Sequence, residues 1–439
     1  MVGKILTLAI LSASNVFCSC EYRLDTAGHV IGIVPGDNGI AAGRQVVIIN
    51  GQGYNVASMK LNDRHKQYVI DVFIPQDIIQ IPDLAFKSCP NLKAIAFEPG
   101  SRLAEIGNNA FCECSSLRSI TIPQSVRSLG EAAFAGCLGL DFVAFAAGSQ
   151  LDTIKEFAFA KCNSLNAITI PQSVISLSGW AFEQCASLNS VTFEASSNLH
   201  TIGDFAFNRC SSLNAITIPQ SVTSLGERAF SGCASLDNVT FEAGSNLDII
   251  GKAAFAECNS LNAITIPQSV TSLGEWAFGL CASLNSVTFE AGSDLDIIED
   301  FAFDGCRSLS DIVIPNGVTQ IGKYAFHACP LQYINIPSSV THIGGLAFSD
   351  CSPSSRITPD GSIGNRMTVT FAPNSNLQTI DMRAFYQCDL ESIIIPSSVT
   401  SIDVETFADC TNLSSVTFEQ ESHLDTIGIR AFCGCPMER

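Results

Sequence analysis

Hydrophobic positions along most of this chain fall into one short pattern that keeps returning. Its centre is Leu-x-x-Ile-x-Ile, as in Leu213, Ile216 and Ile218, or the variant Leu284, Val287 and Phe289. Alternation at the last positions is the period of a β-strand with one face turned into a core, and β-branched residues dominate there, as a pleated strand favours. A polar stretch of one of two kinds comes next. One runs Pro-Gln-Ser-Val-Thr-Ser-Leu-Gly from Pro219; the other runs Glu-Ala-Gly-Ser-Asn-Leu-Asp-Ile-Ile-Gly from Glu242 and is longer by two turn-forming residues. Both lead to Ala-Phe-x-x-Cys, which after the first kind reads Gly-Glu-x-Ala-Phe-x-x-Cys. An acidic residue just after the Gly (Glu131, Glu227, Glu275) predicts a helical segment of one or two turns starting there. One coil is therefore strand, turn, short helical segment and return.

Fifteen copies of the small residue–Phe–x–x–Cys motif place one cysteine in each coil, from Cys89 to Cys435. From Cys89 to Cys329 the steps alternate strictly, 25 then 23 residues, and four consecutive 48-residue units between Cys114 and Cys306 are close copies. The string SLNAITIPQSV recurs from Ser164, Ser212 and Ser260. A single coil cannot cover its own apolar face, whereas stacking buries the Leu, Ile, Val, Phe and Cys of each coil against the next. The pattern thus predicts a repeat solenoid of 15 coils with one long parallel β-sheet and short helical or turn segments on the other side. In alternate coils the strand ends at a proline (Pro123, Pro171, Pro219, Pro267), which removes one amide donor and ends pairing there.

Leu-x-x-Ile-x-Ile-Pro, then Ser-Val-x-x-Leu-Gly, then Ala-Phe-x-x-Cys-x-Ser-Leu resembles the BspA-like leucine-rich repeat class over residues 69–435. The resemblance implies a right-handed solenoid, surface or secreted placement, and adhesion to host or neighbouring-cell proteins. It brings no catalytic residues, and no binding residues carry over because ligand contacts differ between members.

Three regions fall outside the repeat. Residues 1–20 have the layout of a secretory signal peptide, with Lys4 before a short apolar run and small residues after it; Phe17-Cys18-Ser19-Cys20 offers a lipoprotein-type alternative, with a lipid anchor at Cys20. Residues 21–67 read as a β-rich N-terminal cap, in which Gln45–Asn50 and Gly51–Gly53 suggest a hairpin covering the first coil's edge. Within the solenoid, 68–439, a Ser/Pro/Gly-rich loop insertion at 352–366 stretches one step to 37 residues.

Composition narrows the function. A net charge of −19 disfavours nucleic acid and anionic membranes as partners, since both need basic patches. No stretch is long and apolar enough for a transmembrane span. Fifteen of the 19 cysteines hold one equivalent position per coil, which reads as a buried ladder of small apolar residues rather than as a disulfide framework or a metal site. The six histidines are scattered, and the repeated carboxylates Glu194, Glu242 and Glu290 read as a solvated stripe. No cofactor is implied.

Two surface columns remain. The strand position between the inward apolar residues is Thr121, Thr169, Thr192, Thr217, Thr240, Thr265, Thr288, Thr370 and Thr417, pointing away from the core. The first seven form the candidate protein-binding face. Aromatics before the Ala-Phe pair (Phe157, Trp180, Phe205, Trp276, Phe301, Tyr324) form a second stripe, expected to pack between helical segments. The reading is a non-catalytic, secreted or surface-attached, adhesin-like protein that recognises host or cell-surface protein or polymer through the solenoid faces. A self-assembling envelope scaffold is the alternative, and ice binding a remote third.

Overall fold

The computed structural model describes residues 66–67, 69–74, 76–352 and 366–436, with the backbone of strands Ile5–Leu11, Phe17–Leu24, Val30–Val34 and Val46–Ile48. Ile5–Leu11 pairs antiparallel with Phe17–Leu24, which pairs antiparallel with Val30–Val34. Val46–Ile48, inside the predicted hairpin, pairs in parallel with Asp71–Ile74; the hairpin's turn lies outside the described residues, as do 353–365 of the loop insertion.

The coils form two compact units, Met1–Leu188 and Asn189–Arg439, each built by the same rules. Each is a stretch of parallel β-solenoid, and the turns number about 15. The predicted strand recurs from coil to coil, except at 311–314, where a single bridge from Asp311 replaces it. Ala215–Ile218 buries Ile216 and Ile218 and exposes Ala215 and Thr217. The expectation of a single sheet is corrected. Each coil adds a second strand of two residues, such as Ser224–Leu225, which pairs in parallel with Ile249–Ile250 of the next coil. It exists because the chain alternates outward Ser with inward Leu for one further period, and Gly226 N–H then donates to Ile202 C=O of the preceding coil at 2.8 Å.

The expected helical segments are also corrected, because no helix occurs among the described residues from 69 onward. In their place each coil makes tight turns. Ala229 N–H donates to Gly226 C=O and Cys233 N–H to Phe230 C=O, with Arg228 and Gly232, the third residue of each turn, at φ 51° and 71°. Positive φ at that position defines a type II turn and interrupts any α-helix. The reason is stacking: Arg228, Phe230 and Gly232 direct their N–H groups to Lys252, Ala254 and Ala256 C=O of the next coil at 2.8 Å each, so they cannot bond within a helix. A coil-to-coil ladder has outcompeted local helix formation.

The core is a set of identical ladders. Within Asn189–Arg439, Phe207, Phe230, Phe255, Phe278, Phe303 and Phe326 stack ring on ring, with centroids 5.3–5.5 Å apart. All are fully buried. Beside them run the cysteines, buried and free rather than disulfide-bonded. Each also has a polar job that the sequence reading did not assign: Cys233 Sγ donates to Phe207 C=O at 3.2 Å and Cys281 Sγ to Phe255 C=O at 3.1 Å. Burial pushes the Cys185 and Cys233 thiols up to about 12.

Candidate functional site

The seven candidate threonines, Thr121, Thr169, Thr192, Thr217, Thr240, Thr265 and Thr288, are all exposed on the outer face of the four-residue strands. They do not form one uniform column. In the first unit Thr121 stands opposite Ala144. In the second unit the hydroxyls come together in couples: Thr217 with Thr240 at 2.9 Å, and Thr265 with Thr288 at 2.8 Å. Thr370 lies further along, half-buried, and donates to Asn335 Oδ1 at 3.0 Å.

The coupling arises from the prolines. Where a Pro-ended strand is followed by a Phe-ended one, all four residues pair, Ala215 to Ile218 with Asn238 to Phe241, and Glu242 N–H closes the ladder on Ile218 C=O at 3.0 Å. At the next junction the residue in Glu242's place is Pro267, which has no N–H to offer Phe241 C=O, and pairing shrinks to Asn238 with Ala263. The same single pair recurs for Ala94 with Ser119, Phe142 with Ala167, and Ser190 with Ala215. The sheet therefore opens at every second junction.

Two clefts lie at such openings. One, of about 520 Å³, includes Phe97, Gly100, Thr121, Pro123 and Gln124; the other, of about 370 Å³, includes Thr288, Phe289, Glu290, Ser293, Val313 and Pro315. The phenylalanines are half-exposed, and Val313 is 77% exposed. The glutamates read from sequence as a solvated stripe close these turns. Glu242 Oε2 accepts from Gln220 N–H and Glu290 Oε2 from Gln268 N–H, both at 2.9 Å. The turn serine is equally occupied, Ser221 Oγ lying 2.9 Å from Ser197 C=O and 2.7 Å from Leu199 C=O. A carboxylate already committed to a backbone amide is a structural acceptor rather than half of an acid–base pair.

The aromatic stripe sits on the turn face, in positive-φ positions of the coil, and its half-buried rings stack between coils. Trp276, Phe301 and Tyr324 are nearly parallel with centroids 4.6 and 4.7 Å apart; in the first unit Phe157 stacks on Trp180 at 5.1 Å. Packing is their role, between turns instead of helices. Next to Tyr324, His327 Nδ1 lies 2.6 Å from Asp304 Oδ1 and its Nε2 3.2 Å from Asp350 Oδ2. The hydrogen bond to Asp304 and both carboxylate charges raise the imidazole above its ordinary value, against a smaller opposing effect of burial. With both nitrogens bonded to carboxylates it bridges three coils and has no free nitrogen for base or metal chemistry. Sequence reading missed this trio: Asp304 and His327 are one 23-residue coil step apart at the same repeat position, but Asp350 sits one position out of register in the next coil.

The sequence profile of the BspA type leucine rich repeat region matches residues 65–150, 141–246, 241–355 and 365–439, in six copies. The chain belongs to the BspA-type leucine-rich repeat family. No curated protein matches this BspA-type chain. Among solved structures it is similar to a leucine-rich repeat protein from Bacteroides ovatus, at 21% identity and TM-score 0.48, covering 99% of this chain and 92% of that one. A leucine rich cell surface protein from Faecalibacterium prausnitzii is 23% identical, with TM-score 0.37 and coverage of 95% and 98%. The pneumococcal vaccine antigen PcpA is 20% identical, with TM-score 0.45 and coverage of 95% and 99%. Among the described residues of this BspA-type protein, no group of three or more His, Cys, Asp or Glu side chains could hold a metal ion.

Proposed function

We propose that this protein is a non-catalytic binding protein of the cell exterior, exported through a leader at 1–20 or held by a lipid at Cys20, which engages host or cell-surface protein or polymer through its solenoid faces. One observation carries the reading. The outer sheet face presents exposed Thr and small residues coil after coil above a buried apolar core, so a fixed backbone holds them toward solvent. Rigid preorganised surfaces lose little entropy on binding. Membership of a surface-protein repeat family supports the exterior placement.

The test is direct binding of the purified chain to immobilised extracellular-matrix and cell-surface preparations, with sedimentation run in parallel. Saturable binding that falls when Thr217, Thr240, Thr265 and Thr288 are changed together to Val supports the reading. Failure to bind either preparation, with mass rising steadily with concentration, would replace it with the self-assembling scaffold.

A further inference from the structure

The three most similar internal copies, 164–211, 212–259 and 260–307, act as replicas of one another. Core positions are identical among them, as packing demands. The exposed positions behave in two ways. On the turn face they differ: Trp180, Arg228 and Trp276 are equivalent, as are Gln184, Gly232 and Leu280. On the Pro-ended strands of the sheet face they are the same, although no core packing requires it, whereas the Phe-ended strands vary (Asn189, Asp237 and Asn285; Ser190, Asn238 and Ser286). Asn166, Asn214 and Asn262 correspond, as do Ala167, Ala215 and Ala263, and the threonines throughout. Identical exposed groups at a fixed period suit a ligand that is itself periodic.

The period is set by the broken junctions. In the second unit a Phe-ended strand meets a Pro-ended segment at Phe193/Pro219, Phe241/Pro267 and Phe289/Pro315. Consecutive junctions are two coils apart, about 9.6 Å at the usual strand spacing. Each places a Thr, a Phe, a proline and a glutamate side by side; at Phe289 this set, together with the exposed Val313, lines the 370 Å³ cleft, and the shortened pairing at the other two junctions leaves room for equivalent clefts. Such a lining, with one ring, several uncharged hydrogen-bonding groups and one carboxylate, suits a ligand rich in hydroxyls and free of charge. The chain's charge of −19 opposes polyanions. A peptide strand repeats every two residues at about 6.8 Å, which does not match two coils. An extended β-linked hexose chain repeats every two sugars at close to the two-coil distance.

We propose that the Phe/Pro clefts of the sheet face are subsites for a neutral, β-linked polysaccharide lying along the solenoid axis, one disaccharide to each cleft. This rests on the binding-protein reading above and names its ligand class. The Thr couples flank the clefts and supply hydroxyl contacts, and the prolines keep the clefts open by withholding an amide.

The test is titration of the full chain with β-1,4-linked glucan, mannan and chitin oligosaccharides of two, four and six sugars. Three clefts in register make the hexasaccharide of the matching polymer bind about a hundredfold tighter than its disaccharide. Pro267→Ala restores the missing donor and closes the middle cleft, so the hexasaccharide loses most of that gain. Thr240→Val and Thr288→Val, which keep the side-chain shape, weaken binding several-fold with the circular dichroism and melting curve unchanged. Absence of binding to all three series, or binding indifferent to length and to these variants, overturns the proposal. If protein baits still bind in that case, the binding-protein reading stands without it; if nothing binds, both fall.

Discussion

Cys233 and its equivalents show how a residue that looks like filler can serve two purposes. The sequence reading treats cysteine as a small apolar side chain, and the burial agrees. The S–H also reaches the Phe C=O of the preceding coil, a carbonyl that already accepts the Cys N–H of its own turn. Alanine would keep most of the volume and lose the donor. The raised thiols of the fully buried inner ladder predict a simple chemical result. Under native conditions a thiol reagent at neutral pH modifies Cys433, the one exposed cysteine among the described residues, and the half-buried terminal Cys435 well before the fully buried ladder, and Cys433→Ser removes the faster part of that early phase. Rapid labelling of many ladder cysteines in the folded chain would contradict the buried, protonated ladder.

His327 predicts a pH dependence whose sign is set by its partners. Asp304 and Asp350 raise its folded-state value, so the protonated bridge stabilises the fold fully below the unfolded value of about 6.5. That contribution is lost as pH rises through the higher folded value. Urea midpoints are therefore expected to decline from about pH 6.5 upward, and His327→Gln to flatten this part of the profile. An unchanged profile in the variant would assign the dependence to other groups.

At the scale of the element, the strand was legible and the helix was not. Alternation of Ile216, Thr217 and Ile218 leaves one reasonable assignment, because a one-residue slip would bury Thr and expose both isoleucines. Gly-Glu-x-Ala-Phe-x-x-Cys is ambiguous, since a Gly followed by an acidic residue suits a helix start and a turn alike. The decision lies in the partners of three N–H groups, and those partners sit in the next coil. The prolines were read correctly as strand ends. That they also open clefts at alternate junctions depends on which residue of the neighbouring coil they face. The Phe ladder gives the element-scale prediction. Phe278 is fully buried with a ring on each side, at 5.5 Å to Phe255 and 5.4 Å to Phe303. Phe278→Ala is expected to cost about 3–5 kcal/mol in denaturant unfolding, with the loss concentrated in hydrogen exchange of the flanking coils. A cost below about 1 kcal/mol would mean that the coils close over the gap.

For the whole molecule, nearest-neighbour stacking means that a repeat unit is removable. Deleting 212–259 joins Ser211 to Ser260, and the residues after Ser260 repeat those after Ser212. The shortened chain is expected to fold with the same circular dichroism, and its denaturant m-value to drop roughly in proportion to the residues lost. Aggregation of this deletion alone, with single-residue variants soluble, would show that the copies are not interchangeable.

The sequence by itself determined the solenoid, the coil length, the inward and outward faces and the outward threonines. Periodicity in hydrophobic burial is a local property that repeats carry openly. Only the tertiary structure decided the second strand of each coil, turns in place of helices, the clefts beside the prolines and the Asp304–His327–Asp350 bridge. Each of these depends on which groups of one coil meet which groups of the next, because a backbone amide or an imidazole here bonds across the stack and not to its neighbours along the chain.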